Sequence, residues 1–180
     1  MLRDGCNHGF SMKIFGIAGW SGSGKTSLMV RLLPELTRMG LRVSTMKHAH
    51  HAFDVDQPGK DSYNHREAGA SEVMITSVNR WALMHENRGA AEPSIDELVR
   101  HMTPVDLLLI EGFKWSPHPK LEVFRRATGK PLLALEDAHV VAVASDEPVP
   151  EVSVPLLDLN RADLVARFVV THCGIQIPEI

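Results

Sequence analysis

Eight consecutive residues constrain this chain more than any others: "GWSGSGKT", from Gly19 to Thr26. They fit G-x-x-x-x-G-K-[ST] in full. In such a segment successive backbone N–H groups converge on phosphate oxygens, and glycine permits both the backbone angles and the close approach. A helix that starts here adds its positive end. Lys25 supplies a mobile charge for the β- and γ-phosphates, and Thr26 offers a hydroxyl oxygen to Mg²⁺. The candidate nucleotide-binding run is therefore Gly19, Trp20, Ser21, Gly22, Ser23, Gly24, Lys25, Thr26 and Ser27. Trp20 is the unusual member, and its indole suits packing against a neighbour or a partner better than touching phosphate.

The flanks supply the context the motif needs. "KIFGIAG" (13–19) is a short apolar run ending in glycine, as a buried strand would. "KTSLMVRLLPELTRMG" (25–40) carries Leu28, Leu32, Leu36 and Met39 at helical spacing, with Gly40 as its stop and Pro34 as a bend. "LRVSTMK" (41–47) reads as a second strand. This is a β–loop–α–β opening, the unit of a parallel sheet.

Further along, 62–70 reads as a short helix closed by Gly69. Residues 71–78 and 81–86 read as two strands separated by Asn79 and Arg80, a hairpin length. "SIDELVRHM" (94–102) has a capping box from Ser94 to Glu97. "PVDLLLIEG" (104–112) is the most apolar run and predicts a central parallel strand. Residues 120–125, 130–137 and 140–146 read as strands, and 160–172 as a final helix with Asn160 at its N-cap. The expected fold class is α/β: a P-loop NTPase-like, mainly parallel sheet flanked by helices, with an added β-hairpin. One domain spans 12–176, residues 1–11 form a disordered extension, and 177–180 are a tail.

Ligands gather at the carboxyl ends of parallel strands. Glu111, rather than Asp106, stands at that end of its strand, so Glu111 is the candidate for Mg²⁺ or its bound water. The N–H of Gly112 is then available to a γ-phosphate, while Lys114 reads equally as a phosphate ligand or a surface lysine.

The segment after the second strand, "MKHAHHAFDVDQPGKDS" (46–62), packs histidines against aspartates. Asp56 is the first choice to meet Mg²⁺, with Asp54 and then Asp61 behind it. Lys47 and Lys60 bring positive charge toward phosphate. His48, His50 and His51 have three readings: hydrogen bonding within the loop or to nucleotide or partner, plain solvation, or a transition-metal site. His48 is carried as a nucleotide contact.

The guanine-reading N-K-x-D is absent. Asp146, in "ASDEP" (144–148), falls where a base-reading loop would. A carboxylate there can accept from guanine N1 and N2, and a plain turn aspartate is the other reading. No arginine finger and no base for an attacking water can be named. Catalysis is therefore assigned to no residue, with Asp56 and Glu111 as the only candidates, and hydrolysis is expected to be slow at most.

With 180 residues, 44% hydrophobic and 23% charged, the chain has the make-up of a globular domain. A net charge of −3 argues against a protein that coats nucleic acid. Two cysteines without a CxxC pair argue against a disulfide or zinc framework and fit a reducing, cytoplasmic setting. No apolar run is long enough to span a membrane.

Taken in order and spacing, "GWSGSGKTSL", "KHAHHAFDVDQPGKDSYNHREAGA", "NRWALMHE", "DLLLIEGFK" and "VVAVASD" resemble the MobB family of molybdopterin-guanine dinucleotide biosynthesis adapter proteins, over nearly all of 12–172. The resemblance implies a GTP-binding protein with weak hydrolysis, using GTP and Mg²⁺. It implies a homodimer, with the strand pair near 71–86 helping to build the contact. It implies a partner, the guanylyltransferase MobA, which joins GMP to molybdopterin, and a role in supplying nucleotide or passing the cofactor on, with molybdopterin itself as a further ligand. Two other P-loop functions compete: a small-molecule kinase, for which no lid segment is visible, and a GTPase metallochaperone using the histidines.

Overall fold

The computed structural model describes residues 12–49 and 53–177. The N-terminal extension 1–11, His50 and His51, and most of the 177–180 tail lie outside the described residues. In chain order the elements are β1 (Lys13–Ala18), α1 (Lys25–Arg38), β2 (Val43–Lys47), α2 (Asp61–Glu67), β3 (Glu72–Thr76), β4 (Trp81–His85), α3 (Ile95–Val99), β5 (Leu107–Glu111), β6 (Lys120–Phe124), β7 (Val140–Ser145), β8 (Leu156–Asp158) and α4 (Ala162–His172). They form two compact units, 49–103 and the rest of the chain.

The larger unit is a six-stranded sheet in the order β2-β5-β1-β6-β7-β8. All five pairings are parallel. The strand order reverses around β1, so the loop after β1 opens at a topological switch point, where such sheets bind ligands. β5 lies between β2 and β1 and is buried along its whole length, which explains its unbroken apolar sequence.

Alternation along the strands sorts the core into two faces. Phe15 and Ile17 of β1, Leu121 and Val123 of β6, and Ala142 and Ala144 of β7 pack with Leu28, Leu32 and Leu36 of α1 and Val165, Ala166 and Val169 of α4. Each such leucine contributes about 1.5–3 kcal/mol relative to exposure. α1 continues through Pro34 to Arg38. It ends as expected at Gly40 (φ 83°): the Gly40 N–H donates to Thr37 O and the Leu41 N–H to Leu36 O. That paired pattern is a Schellman cap, with Leu41 buried behind it.

The other face holds Ala18, Phe124 and Val143 against Leu132, Leu133 and Val149. No helix covers it. Residues 130–137, expected to be a strand, instead lie across the sheet and include a 3₁₀ turn at Leu133–Leu135. A segment outside the ladder needs other partners for its backbone, and Glu122 of β6 provides two, while Lys120 of the same strand holds the segment's end through the Asp137 side chain. Glu122 accepts from the N–H groups of Leu133 (3.0 Å) and Ala134 (2.9 Å). Lys120 donates to the carbonyls of Lys114 (2.9 Å) and Ser116 (2.8 Å) and to Asp137 Oδ2 (2.6 Å). Both side chains are fully buried. Burial holds the Glu122 carboxyl above its ordinary range, against the two N–H bonds that pull it down.

One further expectation is corrected. Asn160 does not cap α4: its N–H donates to Asp158 Oδ1 (2.8 Å) in an Asx turn, and Arg161 is the N-cap. The short edge strand β8 precedes it, fed by Pro155 and too brief for a periodic signal.

The smaller unit carries α2, the antiparallel β3–β4 hairpin and α3 with its capping box complete. The hairpin turn lies one residue earlier than expected. Ser77 and Arg80 face each other across it, with the Ser77 N–H donating to Arg80 O (2.8 Å), so Val78 and Asn79 are the turn residues. Register places Met74 opposite Leu83 and Thr76 opposite Trp81. Met74, Leu83 and Trp81 thus share one face and stay exposed. Among the described residues no helix is long and apolar enough to cross a membrane.

Candidate nucleotide-binding site

The loop from Gly19 to Thr26 leaves β1 and enters α1 at the carboxyl edge of the sheet. Two glycines in it are required by geometry. Gly19 has φ 139°, and a Cβ there would lie 2.5 Å from Val123 O. Gly24, the residue before α1, has φ 101°. Trp20 O accepts from the Ser23 N–H (3.2 Å) and from Lys25 Nζ (2.8 Å), which closes the loop on itself. Partial burial lowers the Lys25 pKa; Glu111 opposes that, while Lys114 and Lys47 add to it. Three ammonium groups and one carboxylate therefore share this corner, which suits a polyanion.

Thr26 Oγ1 donates to Glu111 Oε1 at 2.7 Å, and Lys47 Nζ lies 3.4 Å from the same oxygen. Glu111 ends β5 and Lys47 ends β2, paired in register. The sheet itself delivers these groups to the phosphate loop. The oxygen donors of Thr26 and Glu111 match the preference of Mg²⁺, which takes few protein ligands and fills the rest with water and phosphate. Among the described residues no three His, Cys, Asp or Glu side chains converge as a protein-only metal cage would need.

Beyond Glu111 the chain turns sharply. Gly112 has φ 99° and donates its N–H to Ile17 O (3.2 Å), and Phe113 has φ 45°. The Gly112 N–H is thus engaged with β1. The His48 N–H donates to Glu111 O (2.9 Å), and its ring packs on Phe113 with centroids 4.4 Å apart. His48 is therefore positioned against the loop that follows β5.

Trp20 packs within its own chain. Its Nε1–H donates to Pro131 O (2.8 Å), and Lys114 Nζ lies 3.8 Å from the ring centroid. The indole ties the phosphate loop both to the strap crossing the sheet and to the loop after β5.

Asp146 follows β7 and lines a cavity of about 350 Å³ with Ser145, Glu147, Pro148, Leu157 and Asp158. Its Oδ2 accepts from Arg125 Nη1, and Arg125 Nε–H donates to Ser23 O (3.1 Å). Arg125 was not singled out for this role from sequence. At the end of an apolar strand it reads as a surface charge, and only the strand order brings it beside the phosphate loop.

Asp54, Asp56, Lys60 and Asp61 belong to the smaller unit. Asp54 is engaged by Arg66 through two bonds (3.0 and 2.7 Å), which hold its carboxyl below the usual range. Asp56 accepts from Ser62 Oγ at 2.7 Å with Oδ1, while its Oδ2 has no hydrogen-bond partner. Asp61 opens α2, and Lys60 is its N-cap.

Comparison with known proteins fixes the family. The family model described as "MobB: Molybdopterin guanine dinucleotide synthesis protein B" matches residues 14–146. The chain belongs to the MobB family. Its relatives include the molybdopterin-guanine dinucleotide biosynthesis adapter protein of Escherichia coli, 44% identical over 160 residues, covering 87% of this chain and 91% of that one. The protein of the same name from Haemophilus influenzae is also 44% identical, covering 87% and 86%. MobB architecture agrees as well. A crystal structure of molybdopterin-guanine biosynthesis protein B aligns with a TM-score of 0.70 at 25% identity, over 88% of this chain and 99% of that one. Bacillus subtilis MobB shares the fold, with a TM-score of 0.71 at 22% identity, over 92% and 100%.

Proposed function

We propose that this chain is a GTP-binding adapter in the biosynthesis of the guanine dinucleotide form of the molybdenum cofactor. The observation that carries the reading is the contact between Thr26 and Glu111 at the mouth of a complete phosphate loop, in a chain of the MobB family. The loop backbone, Lys25 and Lys47 would hold the phosphates. Thr26 and Glu111 would hold Mg²⁺, whose chemistry when bound is to neutralise phosphate charge. Asp146, on the wall of its cavity, would read guanine through N1–H and N2–H.

Hydrolysis is at most slow in this reading, because positioning supplies most of the rate in phosphoryl transfer and no arginine finger can be named among the described residues. The adapter name of the relatives implies a partner enzyme, and MobA guanylyltransferase is the proposed one. The exposed Met74, Leu83 and Trp81 face supports a homodimer through the hairpin. The setting is cytoplasmic. Calorimetry with GTP, GDP and ATP, with and without Mg²⁺, combined with co-purification against the guanylyltransferase, tests the reading. Equal affinity for GTP and ATP with no captured guanylyltransferase would overturn it.

A further inference from the structure

Arg125 joins two parts of the site that the sequence keeps far apart. Its Nε–H is donated to Ser23 O in the phosphate loop at 3.1 Å, and its Nη1 to Asp146 Oδ2 on the cavity wall. Its own backbone is fixed: Arg125 O accepts from the Thr128 N–H (3.0 Å) and Thr128 Oγ1 (2.8 Å). A Cβ on Gly24 would come 3.5 Å from Arg125 Nε, so the guanidinium lies beside the loop. Arginine suits this place because its rigid planar fork holds two donors at a fixed relative geometry, whereas a lysine offers only a freely rotating point charge.

We infer that Arg125 is a positioning residue for base discrimination: it fixes the Asp146 carboxylate at a set span from the phosphate loop. The inference depends on the reading of Asp146 as the guanine acceptor. A carboxylate that reads N1–H and N2–H must hold both its place and its rotation. Anchored to Ser23 O through one side chain, Asp146 keeps that orientation relative to the phosphates, which are the other fixed point of the same nucleotide. Each carboxylate oxygen has two lone pairs, so accepting from Arg125 leaves acceptor capacity for the base.

The test compares affinities for GTP, ITP and inorganic tripolyphosphate in Arg125→Met, Arg125→Lys and the unaltered chain. ITP lacks the N2 amino group, and tripolyphosphate lacks the base. The GTP-to-ITP preference should fall about tenfold in both variants, the worth of one charge-assisted hydrogen bond, while tripolyphosphate, which lacks the base, should lose less affinity than GTP does. Thermal melting checks folding, and Arg125→Lys keeps the charge if Arg125→Met does not fold. An unchanged GTP-to-ITP ratio would overturn the inference. So would an equal loss for all three ligands, which would make Arg125 a phosphate contact. Asp146→Asn separates the underlying reading: it should weaken GTP and favour XTP, which carries an oxygen at C2. If Asp146→Asn leaves the base preference unmoved, the guanine reading fails. If it swaps the preference while the Arg125 variants do not, only the role of Arg125 fails.

Discussion

Thr26 Oγ1 donates to Glu111 Oε1 at 2.7 Å, across 85 residues of sequence. The contact joins the first turn of α1 to the end of β5, and it places a hydroxyl and a carboxylate together beside Lys25. Glu111→Gln keeps the shape and removes the charge. Affinity for GTP in Mg²⁺ should fall at least tenfold, about 1.4 kcal/mol, toward the value measured in EDTA. Affinity in EDTA should be unchanged. Calorimetry in the two buffers checks this, and an equal drop in both would remove Glu111 from the magnesium site.

Lys25→Ala removes the ammonium that bonds Trp20 O. GTP affinity should fall by at least a hundredfold, about 2.7 kcal/mol, with melting temperature and circular dichroism preserved. GTP binding that survives intact in the titration would refute the phosphate-loop assignment.

Lys120→Met tests the strap. Lys120 is fully buried and neutralises Asp137, which it helps hold at about 2 although burial alone would raise it. Removing the ammonium leaves a carboxylate and two carbonyls short of a donor. The expected loss of stability is about 3–5 kcal/mol by urea denaturation. A change under about 1 kcal/mol would show that Lys120 adds little to what Glu122 and apolar packing supply.

His118 gives the pH dependence. Its ring is buried over Gly16, neither nitrogen has a hydrogen-bond partner, and burial, aided by Lys120, lowers its pKa to about 4. The unfolded chain binds its proton near the ordinary 6.5. Between those values the unfolded state holds more protons, so stability rises with pH. The contribution is full above about 6.5 and is lost as pH falls toward about 4, by up to roughly 3 kcal/mol. His118→Gln should flatten the denaturation-versus-pH curve in that window. A curve of unaltered slope would place the dependence elsewhere.

The hairpin carries the assembly prediction. Trp81→Lys with Met74→Lys puts charge on the exposed face shared by Met74, Leu83 and Trp81. Light scattering should report a monomer for this variant and a dimer for the unaltered chain. GTP affinity should stay within about twofold. A variant that remains dimeric would move the interface off this face.

Much of this was legible in the sequence, and the reasons differ by element. The phosphate loop, β1, α1 and β5 announce themselves because motif, glycine stop and apolar run agree. The Ser94–Glu97 capping box was readable for the same reason: its bonds are local. Residues 130–137 misled because "PLLALE" is apolar enough for a strand, and nothing local says that it packs on the sheet instead of within it. Lys120 and Glu122 were hidden by alternation. "KLEVF" has the pattern of a strand with one wet face, yet the strap buries that face too. Arg125 escaped because its partners, Ser23 and Asp146, are 102 and 21 residues away. Asp54 and Asp56, adjacent in pattern, are told apart by their partners: the Arg66 guanidinium claims the first and the Ser62 hydroxyl the second.

Trp20, held between Pro131 O and the ammonium of Lys114, gives the phosphate loop an optical voice. The cation lies 3.8 Å from the ring centroid and belongs to the loop behind Glu111. When a polyanion draws Lys114 away from the ring, the emission colour should shift without any added label. A stopped-flow fluorimeter would then time nucleotide arrival in the native chain, and Trp20→Phe should silence the signal.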